Sequence, residues 1–135
     1  MRAEPPPEPA AAPSSRRWAI GEVAFVFFRV ATGLLFMTHG LQKLFGFFGG
    51  LGNGATAPLA SRFGVAGCLE LIGGLLLAAG LFTRPVAVVL AAEMVIAYVI
   101  AHLPRGVMPL QNGGEVAILY ALIFVFFALT PRPRD

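Results

Sequence analysis

Four long apolar segments, joined by short polar or Gly- and Pro-rich connections, constrain the fold of this chain most. They cover residues 18–44, 63–82, 85–103 and 115–130. A helix needs about 20 residues to cross the hydrocarbon core of a bilayer. With 57% apolar residues and a mean hydropathy of +0.77, the chain would expose a large apolar surface to water if it folded as a soluble monomer. The sequence therefore predicts an all-α, integral membrane four-helix bundle.

The two ends of the chain differ in composition from the apolar segments. Residues 1–17 hold five prolines between Pro5 and Pro13 and predict a disordered Pro-rich cytoplasmic tail. Arg16 and Arg17 lead directly into a full-length span, which favours a retained tail over a cleaved signal peptide. The transmembrane domain is expected over residues 18–130, and residues 131–135 form a short cytoplasmic tail.

Basic residues predict how the chain is oriented. The N-terminal tail, second loop and C-terminal tail together hold Arg2, Arg16, Arg17, Arg84, Arg132 and Arg134. The other side holds Lys43, Arg62 and Arg105. Because Lys and Arg are enriched in cytoplasmic loops, we expect both termini in the cytoplasm.

Ionisable side chains lie within or beside the apolar segments. They are Arg29, His39, Lys43, Glu70, Glu93, His102 and Glu115. A charged side chain at the centre of a spanning helix costs about 2.5 to 3.5 kcal/mol on insertion scales. These side chains are therefore expected to point inward, to pair or to be neutralised.

Helical spacing predicts that these residues face the interior of the bundle. In the first segment Arg29 and Lys43 share a stripe of three- and four-residue steps that runs through Thr32, Gly33, Phe36 and Gly40. In the second segment Glu70 shares a face with Ala66, Gly73, Gly74 and Leu77, and small residues mark close helix packing. The position of each residue along its segment indicates its depth in the bilayer. From these depths we expect the seven side chains to meet in the central and outer part of the bundle, with Arg29 near Glu70. No polar residue is expected in the inner half.

Two interpretations of this polar set remain open. Arg29 and one or two carboxylates could form buried ion pairs that fix helix register. Alternatively, the residues line an outward-facing pocket for a small molecule or for protons, and we favour this pocket because intramembrane ionisable residues commonly mark functional sites. Three carboxylates opposite Arg29 and Lys43 leave one acid unmatched, which suits proton exchange.

Other chemistries are disfavoured. Cys68 is the single cysteine, so the chain has no internal disulfide or two-thiol redox pair, and Cys68 is expected to act as a small packing residue. The basic residues are scattered, which argues against nucleic-acid binding. His39 and His102 could hold a haem or share a metal with Glu70 or Glu115, but hydrogen bonds at the interface are the favoured role, and no metal site is predicted.

Several short motifs occur in a recognisable order. They are Arg29 with Gly33, His39-Gly40-Leu41-Gln42-Lys43, Glu70-Leu71-Ile72-Gly73-Gly74, Gly80 with Arg84 and Pro85, and Asn112-Gly113-Gly114-Glu115. Over residues 28–126 this pattern resembles the DoxX family. The resemblance implies a four-helix protein of the bacterial inner membrane with a link to redox metabolism, because the family's namesakes are similar to small subunits of a quinone-linked thiosulfate oxidoreductase.

Our hypothesis is a membrane subunit of a redox assembly that acts with a partner protein and takes a quinone or small redox substrate, with haem disfavoured. The expected proton donors and acceptors are Glu70, Glu93, Glu115, His39 and His102. The expected substrate-binding residues are Arg29, Lys43 and Asn112. A non-enzymatic assembly protein and a small-molecule transporter are the alternatives, and a homo-oligomer is left open.

Overall fold

The computed structural model describes residues 15–131, and this part of the chain is helical without any strand. The helices are α1 (Ser15–Phe45), α2 (Arg62–Ala79), α3 (Thr83–Ala97), α4 (Pro109–Asn112) and α5 (Glu115–Leu129). α1 packs along α2, α3 packs along α5, and α2 against α3 joins the two pairs. The predicted all-α bundle is confirmed. Residues 1–14 and 132–135 of the predicted tails lie outside the described residues, whereas residues 15–17 already belong to α1.

The bundle has the exterior of a membrane protein. Within residues 15–131, three segments are long and apolar enough to cross a bilayer, namely Ala19–Phe45, Arg62–Ala79 and Thr83–Arg105. α5 is apolar but shorter, and its 15 residues rise only about 22 Å. In the predicted four-span topology, α5 would fall short of a hydrocarbon core of about 30 Å, a mismatch that bilayer thinning, flanking residues or oligomerisation can accommodate. Large apolar side chains cover the outside of all four long helices, as lipid contact requires.

The turn between α2 and α3 lies slightly earlier than predicted. α2 ends at Ala79, and Gly80 adopts the left-handed conformation (φ 76°) with its N–H donating to the carbonyls of Leu76 and Leu77. α3 begins at Thr83, two residues before the predicted start of the third segment at residue 85, so the predicted connection at residues 83–84 is wrong. The left-handed glycine ends the helix first, and the proline is tolerated in the first turn of the next helix.

Glycines let α1 and α2 approach until their backbones touch. A Cβ placed on Gly33 would lie 2.5 Å from the carbonyl oxygen of Gly74, and one on Gly40 would lie 2.6 Å from that of Gly67. The two contacts run in opposite directions along the two helices, so α1 and α2 are antiparallel. This pairing fixes the register between the polar residues of the two helices.

The end of α3 departs from α-helical geometry. Residues Tyr98–His102 form a π-helical turn, and Leu103–Arg105 form a 3-10 turn. π-helical turns are rare in proteins, and those that occur are often found at functional sites. Before this turn, α3 contributes Ala87, Leu90 and Met94 to a buried core. The core also contains Phe36, Leu77, Phe124 and Phe127.

Candidate functional site

A partly buried ion pair joins α1 to α2. The ammonium of Lys43 donates to both carboxylate oxygens of Glu70, with Nζ 2.5 Å from Oε1 and 2.6 Å from Oε2. The Glu70 side chain is only 4% exposed and that of Lys43 is 16% exposed. Gly67 makes room for the pair, because a Cβ there would come within 3.1 Å of the Cβ of Lys43.

Glu93 brings a second carboxyl group from α3 to this pair. Glu93 is 8% exposed, and both of its carboxyl oxygens are buried without a hydrogen-bond partner among the described residues. Glu93 interacts electrostatically with Glu70 and with Lys43. We call these three residues the Lys43–Glu70–Glu93 cluster. A buried polar group without a partner is costly, so Glu93 is the least satisfied part of the cluster.

Aromatic side chains from α1 and α5 form a wall beside the cluster. The ring of His39 packs edge-on against Tyr120 at 5.8 Å between centroids, and Phe36 lies 4.9 Å from Tyr120 and 4.7 Å from Phe124. His39 stands one helical turn before Lys43 and interacts with it electrostatically. The structure thus places four of the predicted residues, His39, Lys43, Glu70 and Glu93, in one region of the bundle.

Arg29 does not belong to this region, so the predicted approach of Arg29 to Glu70 is wrong. The Arg29 guanidinium packs on Gly80, where even a single methyl group would overlap it. Arg29 precedes Lys43 by fourteen residues, or about 21 Å of helix. In an antiparallel pair Arg29 meets the end of α2, whereas Glu70 lies near its middle.

A buried hydroxyl lies at this same end of the bundle. Thr83, in the first turn of α3, is 3% exposed, and its Oγ1 has no hydrogen-bond partner among the described residues. Together with Arg29, it shows that the expected absence of polar residues from this half is also wrong.

Asn112 and His102 lie in a separate network in the α3–α5 connection. Asn112 is 3% exposed, and its side-chain N–H groups donate to Gly106 O at 2.7 Å and to Tyr98 Oη at 3.1 Å. Its Oδ1 accepts from Gly114 N at 2.8 Å, while Nδ1 of His102 lies 3.2 Å from the Asn112 carbonyl oxygen. These bonds give Asn112 a structural role in the loop rather than a place beside the Lys43–Glu70–Glu93 cluster.

Tyr98 is a residue that the sequence interpretation missed. Its hydroxyl donates to Val107 O at 2.9 Å and accepts from Asn112, so it anchors the loop to the π turn of α3. Its ring leaves no room for a side chain at position 114, because a Cβ on Gly114 would lie 2.6 Å from two ring atoms. The sequence signal that could have identified Tyr98 is a tyrosine at the end of an apolar segment, with the polar Asn112-Gly113-Gly114 turn later in the same connection.

Glu115 lies at the start of α5 and is exposed, so the expectation that it faces the bundle interior is wrong. A carboxylate in the first turn of a helix interacts favourably with the helix dipole, which is a sufficient reason for its position. Each predicted site residue is now placed, and the candidate site reduces to the Lys43–Glu70–Glu93 cluster with His39 beside it.

Asn112→Ala is expected to loosen the α3–α5 connection. The substitution removes three side-chain hydrogen bonds, at a cost of about 1 to 3 kcal/mol, and leaves the buried Gly114 N–H with its backbone bond to Pro109 O. Hydrogen exchange over residues 103–114 in detergent should rise strongly, whereas Gln111→Ala, at an exposed neighbouring position, should leave it unchanged. Equal exchange in both variants would contradict the network.

Comparison with known proteins identifies the family. The sequence pattern of DoxX matches residues 24–103. A Haemophilus influenzae protein described as uncharacterized is 37% identical over 107 residues, which cover 77% of this chain and 80% of that protein. A Bacillus subtilis protein named "Putative oxidoreductase CatD" is 34% identical over 115 residues, which cover 81% of this chain and 80% of that protein. No solved structure matches the chain significantly. The chain is a membrane protein of the DoxX family.

Proposed function

We propose that this chain is the membrane subunit of a redox assembly and that its Lys43–Glu70–Glu93 cluster binds the polar group of a quinone-type substrate and exchanges protons with it. The single observation that carries the proposal is the Glu93 carboxyl group, which is buried and has no hydrogen-bond partner among the described residues. A ligand carbonyl or hydroxyl group beside Glu93 would satisfy it.

The charges of the cluster support a role in proton transfer. Lys43 compensates Glu70 through two short hydrogen bonds, which leaves no second cation in the cluster for Glu93. Three ionised groups would carry one net negative charge in a low-dielectric interior, so one proton shared between the carboxyl groups neutralises the site. The cluster can therefore hold one exchangeable proton.

The chemistry of a quinone matches this arrangement. Reduction of a quinone to a quinol consumes two electrons and two protons, one proton at each carbonyl oxygen. The electrons would come from a partner redox protein. In this chain, protonated Glu93 would donate one of the two protons to one carbonyl oxygen, and Lys43 would stabilise negative charge that develops there. The second proton would reach the other oxygen from water. His39, one turn from Lys43, would be the candidate to resupply the proton.

The relatives support the redox part of the proposal. The Bacillus subtilis relative carries an oxidoreductase name, and the alignment with it covers four fifths of each chain. The bacterial inner membrane, the cytoplasmic position of both termini and a separate electron-donating partner are parts of the same proposal.

Glu93→Gln is expected to lower quinone-dependent turnover in membranes by about a hundredfold, because the amide cannot donate and regain a proton. Glu115→Gln, at an exposed carboxyl group outside the cluster, should retain activity within about twofold. Turnover is measured in membranes that lack the native chain and carry each variant at equal abundance. Quinone extracted from the purified proteins should be abundant in the wild type and depleted in Glu93→Gln. Equal turnover and equal bound quinone in the two variants would refute the proposal.

A non-enzymatic assembly role is the second candidate, and the Lys43–Glu70 ion pair is the observation that favours it. A closed ion pair can fix helix register without binding a ligand. This role gives no reason for Glu93 to be buried without a partner. If Glu93→Gln lowers only the abundance of the protein and its partner, with turnover per molecule unchanged, the assembly role is favoured.

A further inference from the structure

The loop over residues 46–61, which connects α1 to α2, is tied to both helices by hydrogen bonds. Ala57 N donates to Lys43 O at 2.7 Å, which fastens the loop to the last turn of α1. At the other end, the Ser61 hydroxyl accepts from Gly64 N at 3.1 Å and caps α2. The loop therefore holds its side chains in defined positions relative to the bundle.

Three aromatic side chains lie side by side where α1 passes into this loop. Phe45, Phe47 and Phe48 are all exposed, with ring centroids 6.2 Å apart between Phe45 and Phe47 and 6.3 Å apart between Phe47 and Phe48. We call these three residues the loop aromatic patch. Phe48 is 72% exposed, and its backbone lies in the left-handed region (φ 55°), which bulky residues rarely adopt. In water, Phe48 would combine backbone strain with an exposed apolar ring, so an apolar environment is needed to cover the patch.

The register between α1 and α2 gives the level of the patch. Gly40 contacts Gly67 across the antiparallel pair. Phe45 lies five residues after Gly40, and Arg62 lies five residues before Gly67, so both are about 7.5 Å beyond this contact and at the same level. Arg62 is exposed, and its guanidinium lies over the Phe63 ring, 5.1 Å from the centroid. Because an exposed guanidinium is costly in the hydrocarbon core, this level is a surface of the bilayer.

Both ends of the loop continue the lipid-facing surface of the helices. The spanning segment Ala19–Phe45 has 27 residues and rises about 40 Å, which matches a bilayer together with its headgroup regions. Its last residue therefore reaches the headgroups. On the other side, Leu59 lines one exposed apolar surface with Val65 and Leu69 of α2. The loop thus begins and ends among side chains that contact lipid.

We propose that the loop aromatic patch lies in the headgroup region of the bilayer and anchors this end of the bundle to lipid. The rings of Phe47 and Phe48 contact the upper part of the acyl chains, and Arg62 lies at the level of the lipid phosphates. Phe and Leu side chains of interfacial segments insert into this boundary between headgroups and acyl chains. A protein partner would have to cover a surface whose two edges already contact lipid. This role is independent of the proposed redox function.

Quenching of a single tryptophan in the full chain tests the proposal. Trp18 is the only tryptophan of the chain, so Trp18→Phe provides a background without one. In that background Phe48→Trp reports on the patch, and Leu35→Trp, exposed near the middle of the same spanning segment, is the control. Each variant is placed in phosphatidylcholine nanodiscs whose acyl chains carry bromine near either the headgroup end or the methyl end. Aqueous iodide is the third quencher.

Bromine near the headgroup end should quench Phe48→Trp about twofold more than bromine near the methyl end, and Leu35→Trp should show the opposite order. If iodide quenches Phe48→Trp as strongly as free tryptophan and neither brominated lipid quenches it, the patch lies in water and the proposal is wrong. If all three quenchers fail to reach Phe48→Trp, protein covers the patch, as in a dimer of this chain, and the assignment to lipid is overturned.

A second measurement uses the unaltered chain and so does not depend on the folding of a variant. Phosphatidylcholine with a diazirine near the headgroup end of one acyl chain is photolysed in the same nanodiscs, and the adducts are located by mass spectrometry. Residues 45–48 should carry adducts at a yield within about twofold of that on Phe63, an exposed ring at the same end of α2. Absence of adducts on residues 45–48 would contradict the proposal.

Discussion

Lys43→Met is expected to destabilise the folded protein by about 3 to 5 kcal/mol, because it leaves the Glu70 carboxylate buried without its counter-charge. The Glu70 side chain is 4% exposed and accepts both of its short hydrogen bonds from Lys43, so little water reaches its carboxylate. The free energy of unfolding in mixed micelles is the measurement. Arg84→Met, which removes an exposed cation at the start of α3, is the control and should change stability by less than about 0.5 kcal/mol.

The double variant Lys43→Met with Glu70→Leu separates the ion pair from simple loss of contacts. Replacing a whole buried ion pair by apolar side chains is often neutral, so most of the stability lost in Lys43→Met should return. Strictly additive losses in the two single variants and the double variant would show that Lys43 and Glu70 do not interact. Turnover should stay low in the double variant, because the cation and one carboxyl group of the proposed site are absent.

Gly33→Ala is expected to force α1 and α2 apart at a cost of about 1 to 3 kcal/mol. The new methyl group would lie 2.5 Å from Gly74 O and 2.6 Å from Ala78 N. These atoms belong to the backbone of α2 and cannot move away as the end of a flexible side chain can. The wider separation would also lengthen the Lys43–Glu70 contact.

Gly21→Ala is the matched control for Gly33→Ala. Gly21 lies in the same helix, and a Cβ there has nothing within 4 Å. Since alanine favours a helix over glycine by about 1 kcal/mol, this variant should be as stable as the wild type or slightly more stable. Both are measured by unfolding in mixed micelles. Equal stability in the two variants would contradict the close α1–α2 contact.

Local properties of the sequence were sufficient to predict the helices. Long apolar runs and prolines depend only on neighbouring residues, and the predicted and observed ends of the segments differ by a few residues. The same kind of reasoning identified Lys43, Glu70 and Glu93 as buried, because an ionisable group in an apolar helix is expensive wherever it faces lipid.

The partners of these residues could not be predicted in the same way. Arg29 and Lys43 share one stripe of α1, so helical spacing is compatible with an ion pair between Glu70 and either residue. The choice depends on how far α1 is shifted along α2, which the backbone contacts at Gly33 and Gly40 set. Counting depth along each segment placed Arg29 too near Glu70, because such a count contains no information about the axial shift between α1 and α2.

By itself, the sequence determined that this chain is a helical membrane protein and which ionisable groups its interior must accommodate, because hydrophobicity and helical period are properties of one segment at a time. Only the tertiary structure decided that Lys43 rather than Arg29 neutralises Glu70, that Glu115 faces outward and that the Glu93 carboxyl group is buried without a hydrogen-bond partner among the described residues. Those results depend on the axial offset and rotation between helices. Both are set by contacts between residues far apart in the chain, such as Gly33 with Gly74 and Gly73 with Leu90.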